Sequence, residues 1–143
     1  MRPTVTEQLD GVRRTLDDVV RPHVTDEYAR GQLEQVVAVL AHLADRWHRI
    51  GPLLAEDNTA LGALVAGLAG EFDANEPALA ERLRAAAAAS PDPLDLDALT
   101  AQNDVLRRLV VDAIEAFDRH GVHDGPVRSR LRAELIASTA RMS

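Results

Sequence analysis

The sequence of 143 residues contains no cysteine, and its sixteen basic residues are all arginine. Without cysteine there is no disulfide, no thiolate nucleophile and no cysteine-ligated zinc or iron–sulfur site. Without lysine there is no Schiff-base chemistry, no lysine-bound pyridoxal phosphate and no phosphate-binding lysine of a P-loop. These two absences exclude a large part of known enzyme chemistry.

Long apolar runs and an excess of positive charge are also missing. No stretch approaches the ~18 consecutive apolar residues of a membrane span, and the opening MRPTVTEQLD lacks the apolar run of a secretory signal. The formal net charge of −7 disfavours a nucleic-acid-binding surface, because such a surface needs clustered cations. We therefore expect a cytoplasmic protein that binds neither a membrane nor nucleic acid.

Apolar residues recur at helical spacing along almost the whole chain, and no segment alternates in the manner of a half-buried strand. A chain of this length suits one domain with one core. The predicted fold is all-α, an up-and-down bundle over residues 1–143 with four main helices and one or two short ones. The predicted helices cover residues 4–21, 26–50, 58–73, 77–89, 97–120 and 126–141.

Local signals define the ends of these helices. Thr4 and Glu7 have the spacing of a capping box at the start of the first helix. Gly51-Pro52 predicts the end of the second helix, since proline interrupts the helical hydrogen bonds. Asp57 or Asn58 is then expected to cap the third.

The stretch ADRWHRIGPLLAEDN, residues 44–58, contains the single tryptophan of the chain. At ~100° per residue Trp47 falls within the apolar stripe of its helix, so we predict that it is a core residue. Asp45 and His48 lie one turn apart, which is half of the carboxylate and histidine arrangement of dinuclear bundle proteins. The other half has no counterpart in the sequence, and no metal site is predicted.

Gln102 and Asn103 fall within the apolar arc of the helix over 97–120. Buried amides must be paired, and the structural interpretation is that they fix the register of the helices. The functional alternative is a polar anchor for a small molecule in an interhelical pocket, with Trp47 and His48 at its walls. A third interpretation places the pair beyond the end of the core.

Small residues form a narrow arc on the helix over 58–73, at Ala60, Ala63, Gly67 and Gly70. They permit close approach of another backbone, although glycine weakens a helix unless packing compensates. This helix is therefore expected to be either tightly docked or mobile, with a groove beside it for a ligand or a partner helix.

The C-terminal third is locally basic. Arg128 and Arg132 flank the apolar stripe of the last helix, which is typical of a solvated face whose side-chain stems follow the core edge. The alternative is an anion site made by both guanidinium groups and the helix start at Gly125-Pro126. A weak metal pattern lies nearby: His120 and His123 with Asp118 or Asp124.

The segments RPTVTEQLDGVRRTLDDVVRP and LADRWHRIGPLLAEDN resemble small uncharacterised all-helical proteins of actinobacteria and other GC-rich bacteria. The resemblance covers about the first half of the chain and includes no catalytic motif. It implies a cytoplasmic bacterial helical domain and gives no residue a role.

No motif supplies a nucleophile or a cofactor site, and no cofactor is predicted. The leading hypothesis is a non-catalytic helical bundle that works by association, as a homodimer or as an accessory subunit. The alternative is a bundle that binds a small molecule, or is weakly catalytic, with a pocket near Trp47. A metal-binding bundle is the third hypothesis.

Overall fold

The computed structural model describes residues 3–123 and 125–143, and within them the chain forms five α-helices and no strand. The predicted all-α helical bundle is confirmed. No described helix combines the length and the apolar character that crossing a bilayer requires. The α-helices are α1 (Val5–Thr15), α2 (Glu27–Leu68), α3 (Pro77–Ala88), α4 (Leu96–Arg119) and α5 (Pro126–Met142). Short helical turns follow α1, at Leu16–Val20 (π) and Arg21–His23 (3-10), and α2, at Ala69–Phe72 (3-10).

Local contacts and backbone conformation mark several of the helix ends. Thr4 Oγ1 accepts a hydrogen bond from the Glu7 amide at 3.2 Å, and Glu7 Oε2 accepts one from the Thr4 amide at 2.7 Å, so the predicted capping box is present. Asp26 Oδ2 accepts from the Ala29 amide at 2.8 Å at the start of α2. Gly121 follows α4 with φ of 75°, a left-handed conformation that glycine adopts without steric cost.

The predicted helix break at Gly51-Pro52 is wrong, and so is the predicted cap at Asp57 or Asn58. Helix α2 passes through Pro52 and ends at Leu68. Proline removes one hydrogen bond from a helix interior, but most of the stability of a helix in a protein comes from burial of its apolar face. Leu54, two residues after the proline, is buried, and the helix therefore continues. Asp57 and Asn58 consequently lie in the middle of α2.

The chain, predicted as a single domain, divides into two compact units, Met1–Ile50 and Gly51–Ser143. The second unit contains the hydrophobic core, built from the C-terminal part of α2 together with α3, α4 and α5. The rings of Phe72 and Phe117 pack in it with their centroids 4.8 Å apart. Six leucine and valine side chains of this core are completely buried: Leu61, Val65, Leu83, Leu106, Val110 and Leu131.

The first unit buries little of its apolar surface. Val37 and Ala44 are the buried apolar residues among its described positions, and Trp47 is 41% exposed. The predicted core role of Trp47 is therefore wrong. Helical periodicity identified an apolar face correctly, but periodicity contains no information on whether another element covers that face.

Candidate functional site

Apolar side chains stand exposed in two rows on the first unit, which we call the N-terminal apolar stripes. All of them are between 36% and 59% exposed, whereas a bundle helix normally buries such residues. The members are Val5, Val12 and Val19 in the first row and Val36, Val39, Leu43 and Trp47 in the second.

The spacing within the rows places most of their members on one side of their helix. Val5 and Val12 are seven positions apart on α1, the repeat that keeps side chains on one helix face, and Val19 follows in the π-helical turn Leu16–Val20. At 100° per residue, the four residues of the second row span an arc of about 80° on α2. The second row is therefore one apolar surface rather than a set of scattered exposed residues, which are common on any protein.

Charge is divided unevenly between the two units. Residues 1–50 contain seven arginines and eight acidic residues, a formal net charge of −1. Residues 51–143 contain nine arginines and fifteen acidic residues, a formal net charge of −6. Almost all of the acidic excess of the protein thus belongs to the second unit, and the first is nearly neutral.

Asp45 and His48 line a polar cavity of about 420 Å³ between α1 and α2, together with Asp10, Arg13 and three smaller residues. Asp10 is already paired with Arg13, with Oδ1 and Nε 3.4 Å apart. Among residues 3–123 and 125–143, no three His, Asp or Glu side chains are grouped so as to hold a metal ion. Trp47 and His48 belong to the first unit, whereas Gln102 and Asn103 belong to the second.

A buried polar cluster in the second unit surrounds the carboxylate of Asp57, which has no exposed surface. Asp57 Oδ2 accepts hydrogen bonds from Asn103 Nδ2 at 2.8 Å and from Ser138 Oγ at 2.7 Å. Asp57 Oδ1 accepts one from Arg141 Nε at 2.7 Å. One carboxylate thus joins α2, α4 and α5. We call Asp57, Asn103, Ser138 and Arg141 the Asp57 cluster.

The amide of Asn58 extends this network towards the surface. Its Oδ1 accepts from Asn103 Nδ2 at 2.9 Å, and its Nδ2 donates to the Leu99 carbonyl at 2.9 Å and to Gln102 Oε1 at 3.2 Å. Gln102 Nε2 in turn donates to the Ala89 carbonyl at 3.0 Å. Both amides that the sequence singled out in α4 are therefore paired within the protein, and they hold α4 against α2 and the segment after α3.

The environment of Asp57 keeps it ionised. Burial alone raises the pKa of a carboxyl group, but the hydrogen bonds from Asn103, Ser138 and Arg141 and the charge of Arg141 outweigh that effect, so the pKa of Asp57 lies below its ordinary value. Arg141 is also paired with Glu134. The cluster is a satisfied ion pair, with no proton to exchange near neutral pH.

A cavity of about 300 Å³ opens beside the second half of α2. Gln102 and Asn58 line it, and Gly62 and Ala63 of α2 form part of its wall. It lies beside the segment for which a groove was predicted. The glycines of that segment are not required by close packing, because a Cβ built at Gly62, Gly67 or Gly70 meets no neighbouring atom within 4 Å.

The arginines of the last helix have different environments. Arg128 donates to the His123 carbonyl at 2.6 Å and is also paired with Asp118. The hydrogen bond from Arg128 to Asp118 lowers the pKa of that carboxyl group. Arg132 is exposed on α5. The Nε2 atom of His120 lies 3.2 Å from Glu76 Oε1. The anion site at Arg128 and Arg132 stays a prediction, and Asp124, named as a possible metal ligand, lies outside the described residues.

The residues of the Asp57 cluster outside α4 were missed as site residues. A signal for Asp57 and Asn58 is present, since they stand three and four residues after Leu54 in the apolar repeat of α2, but the expected break at Pro52 assigned them to a cap. Ser138 likewise stands seven residues after the buried Leu131. A polar residue inside an apolar stripe was the informative pattern in both cases.

Comparisons of the chain with protein-family models, with curated proteins and with solved structures find no match. A function is therefore inferred from the residues of this chain alone.

Proposed function

We propose that this protein works by association, as a homodimer whose subunits meet through the N-terminal apolar stripes. The observation that carries the proposal is the imbalance in the first unit, where seven apolar side chains of two regular rows are exposed and two apolar residues are buried. Burial of apolar surface, at roughly 25 cal/mol per Å², is the main driving force of association.

A segment of fifty residues with two helices is too small to bury a substantial core. Two copies together supply four helices, the number of a common and stable bundle. A second copy is the partner we favour because the first unit is nearly neutral, with a net charge of −1, so that two copies approach with little repulsion. A two-fold axis then uses the same surface on both subunits.

The test is the substitution Val39→Glu, which places a charge in the middle of the second row. We expect the wild-type protein to sediment as a dimer at micromolar concentrations and Val39→Glu to sediment as a monomer, because an unpaired charge in an apolar interface is strongly unfavourable. The control is Ala38→Glu, an exposed position about 140° around the same helix from the centre of the second row, which should remain dimeric.

A wild-type protein that is monomeric over the whole micromolar range contradicts the homodimer, and so does a dimer that Val39→Glu leaves intact. If the monomer instead retains one defined protein in a pull-down and Val39→Glu releases it, the stripes belong to an accessory subunit. Circular dichroism of both variants at 222 nm shows whether the helices are retained.

The proposed location is the cytoplasm, which rests on the sequence interpretation given above. Fractionation of cells that express the full chain tests it, since recovery with the membrane pellet or in the medium would contradict it.

A further inference from the structure

We propose that the cavity beside Asn58, Gly62 and Gln102 binds a small neutral molecule that carries an amide-like edge. The cavity lies wholly within the second unit, and the proposal is independent of the homodimer. It follows from three properties of the cavity: the absence of charge from its described walls, the hydrogen-bonding capacity of its two amides, and its open space.

The described residues that line the cavity include no charged side chain. This is notable in a unit that has fifteen acidic residues and nine arginines. A charged ligand would lose its hydration on entry without gaining an opposite charge, which is strongly unfavourable. The cavity therefore favours a neutral ligand.

The hydrogen bonds already made by the two amides define what the ligand must offer. Asn58 uses both of its N–H groups, on the Leu99 carbonyl and on Gln102 Oε1. Gln102 uses one N–H on the Ala89 carbonyl, and its oxygen accepts from Asn58. An amide has two N–H donors and an oxygen with two lone pairs, so Gln102 retains one donor and one acceptor. A ligand with a neighbouring acceptor and donor, such as an amide or a lactam, satisfies both.

The remaining walls are formed by apolar residues, most of them small, and by the two hydroxyl residues Thr59 and Ser90. Ala55, Ala63, Pro91 and Pro93 line the cavity, and Gly62 stands inside α2 although glycine weakens a helix relative to alanine. A Cβ at Gly62 meets no atom within 4 Å, so packing of the protein itself does not demand glycine there. The volume of about 300 Å³ is at the lower limit for ligand pockets and suits a molecule with a single ring.

Benzamide is the probe, because it joins an apolar ring to an amide edge. Titration into the uniformly 15N-labelled full chain is expected to shift the side-chain amide signals of Gln102 and Asn58 and the backbone signal of Ala63. A molecule with roughly ten non-hydrogen atoms should bind with a dissociation constant on the order of 1 mM. Benzoate and benzylamine test the preference for a neutral ligand, and acetophenone, which has no N–H donor, tests the amide edge. Each should bind at least about fivefold more weakly.

The matched variants are Gly62→Leu and Gly67→Leu. Both place a leucine in α2 where no neighbour lies within 4 Å of the new Cβ, but only position 62 lines the cavity. Gly62→Leu is expected to weaken benzamide binding at least about tenfold, while Gly67→Leu binds as the wild type does. Helical circular dichroism and the thermal midpoint verify that both variants are folded.

The proposal is overturned if benzamide shifts none of these signals, if benzoate, benzylamine or acetophenone binds as tightly as benzamide, or if the two leucine variants bind equally. Shifts confined to residues outside the cavity also overturn it. Because the titration is read at named residues of the second unit, it can succeed in a protein that sediments as a monomer, and it can fail in one that sediments as a dimer.

Discussion

Asp57 is a charged side chain with no exposed surface, on the helix face that also buries Leu54 and Leu61. Removing a carboxylate from water is unfavourable by several kcal/mol unless its oxygens are bonded and its charge is paired. Asn103 and Ser138 supply the bonds to one oxygen, and Arg141 supplies the bond and the opposite charge at the other. Removal of any one of these donors should therefore lower the free energy of unfolding by part of this desolvation penalty.

Arg141→Ala tests this at the cation. It removes the donor at Asp57 Oδ1 and leaves a buried charge without its partner, so we expect the free energy of unfolding to fall by about 2–3 kcal/mol. Urea denaturation followed at 222 nm measures the change. The matched control is Arg84→Ala, which breaks the exposed pair with Asp73, whose side chains are both 54% exposed. The control should lower the free energy of unfolding by no more than about 0.5 kcal/mol. Equal losses of stability in the two variants would contradict the role of the cluster.

The same carboxylate predicts a dependence of stability on pH. The pKa of Asp57 in the folded protein lies below its ordinary value, so in acid the unfolded chain binds more protons than the folded chain and stability rises with pH. This contribution is complete above the unfolded pKa of about 3.9 and is lost as the pH falls through the folded pKa. We expect Asp57→Asn to flatten the acid limb of a plot of unfolding free energy against pH.

Urea midpoints at a series of acid pH values provide that plot. Glu76→Gln is the comparison, since the pKa of Glu76 is also lowered, chiefly by its hydrogen bond from Arg119. Glu76 lies at the surface rather than in the core, so its removal should change the slope less. An acid limb identical in the wild type and in Asp57→Asn would remove Asp57 as its cause.

Helix ends and helix interiors differ in how well the sequence predicts them. The capping box at Thr4 and the end of α4 near residue 120 depend on a few neighbouring residues, and both were predicted. The passage of α2 through Pro52 depends on burial of Leu54 and of the core residues that follow it, which no local pattern contains. Local signals therefore found the number of helical segments nearly correctly and divided the longest one in two.

The candidate site shows the same difference between what the sequence predicts and what it does not. The period of α4 placed Gln102 and Asn103 on its apolar face, and so predicted that these amides need partners. Their partners are Asp57 and Asn58 of α2 and the Ala89 carbonyl, with sequence separations of up to 46 residues. Such pairings follow from the packing of whole helices and have no signal within any one segment.

Pro52→Ala tests the strain that proline introduces into α2. The substitution restores an amide donor to the carbonyl four residues earlier and removes the clash of the ring, so we expect the unfolding free energy to rise by about 1–3 kcal/mol. Pro93→Ala is the control, because Pro93 lies in the connection before α4, where losing proline should lower stability by about 0.5 kcal/mol through the unfolded chain. Chemical denaturation at 222 nm compares them. A lower unfolding free energy for Pro52→Ala than for the wild type would show that the helix depends on proline at this position.

The two compact units differ in what stabilises them. The second has a core with several completely buried aliphatic residues, whereas the first buries only Val37 and Ala44 among its described apolar side chains. A helical segment without a buried face is marginally stable in water. If a second copy covers the N-terminal apolar stripes, the stability of the first unit must depend on protein concentration and that of the second must not.

Hydrogen exchange measured by mass spectrometry at several protein concentrations tests whether the stability of the first unit depends on concentration and that of the second does not. We expect peptides from residues 5–50 to exchange faster as the protein is diluted through the dissociation constant of the dimer, because local opening then competes with association. Peptides from the core helices over residues 60–117 should keep the same protection at every concentration. Val39→Glu should show the fast N-terminal exchange at all concentrations, and Ala38→Glu should follow the wild type. Protection of residues 5–50 that is strong and independent of concentration would mean that the first unit is stable without a second copy, and the apolar stripes would lose their role.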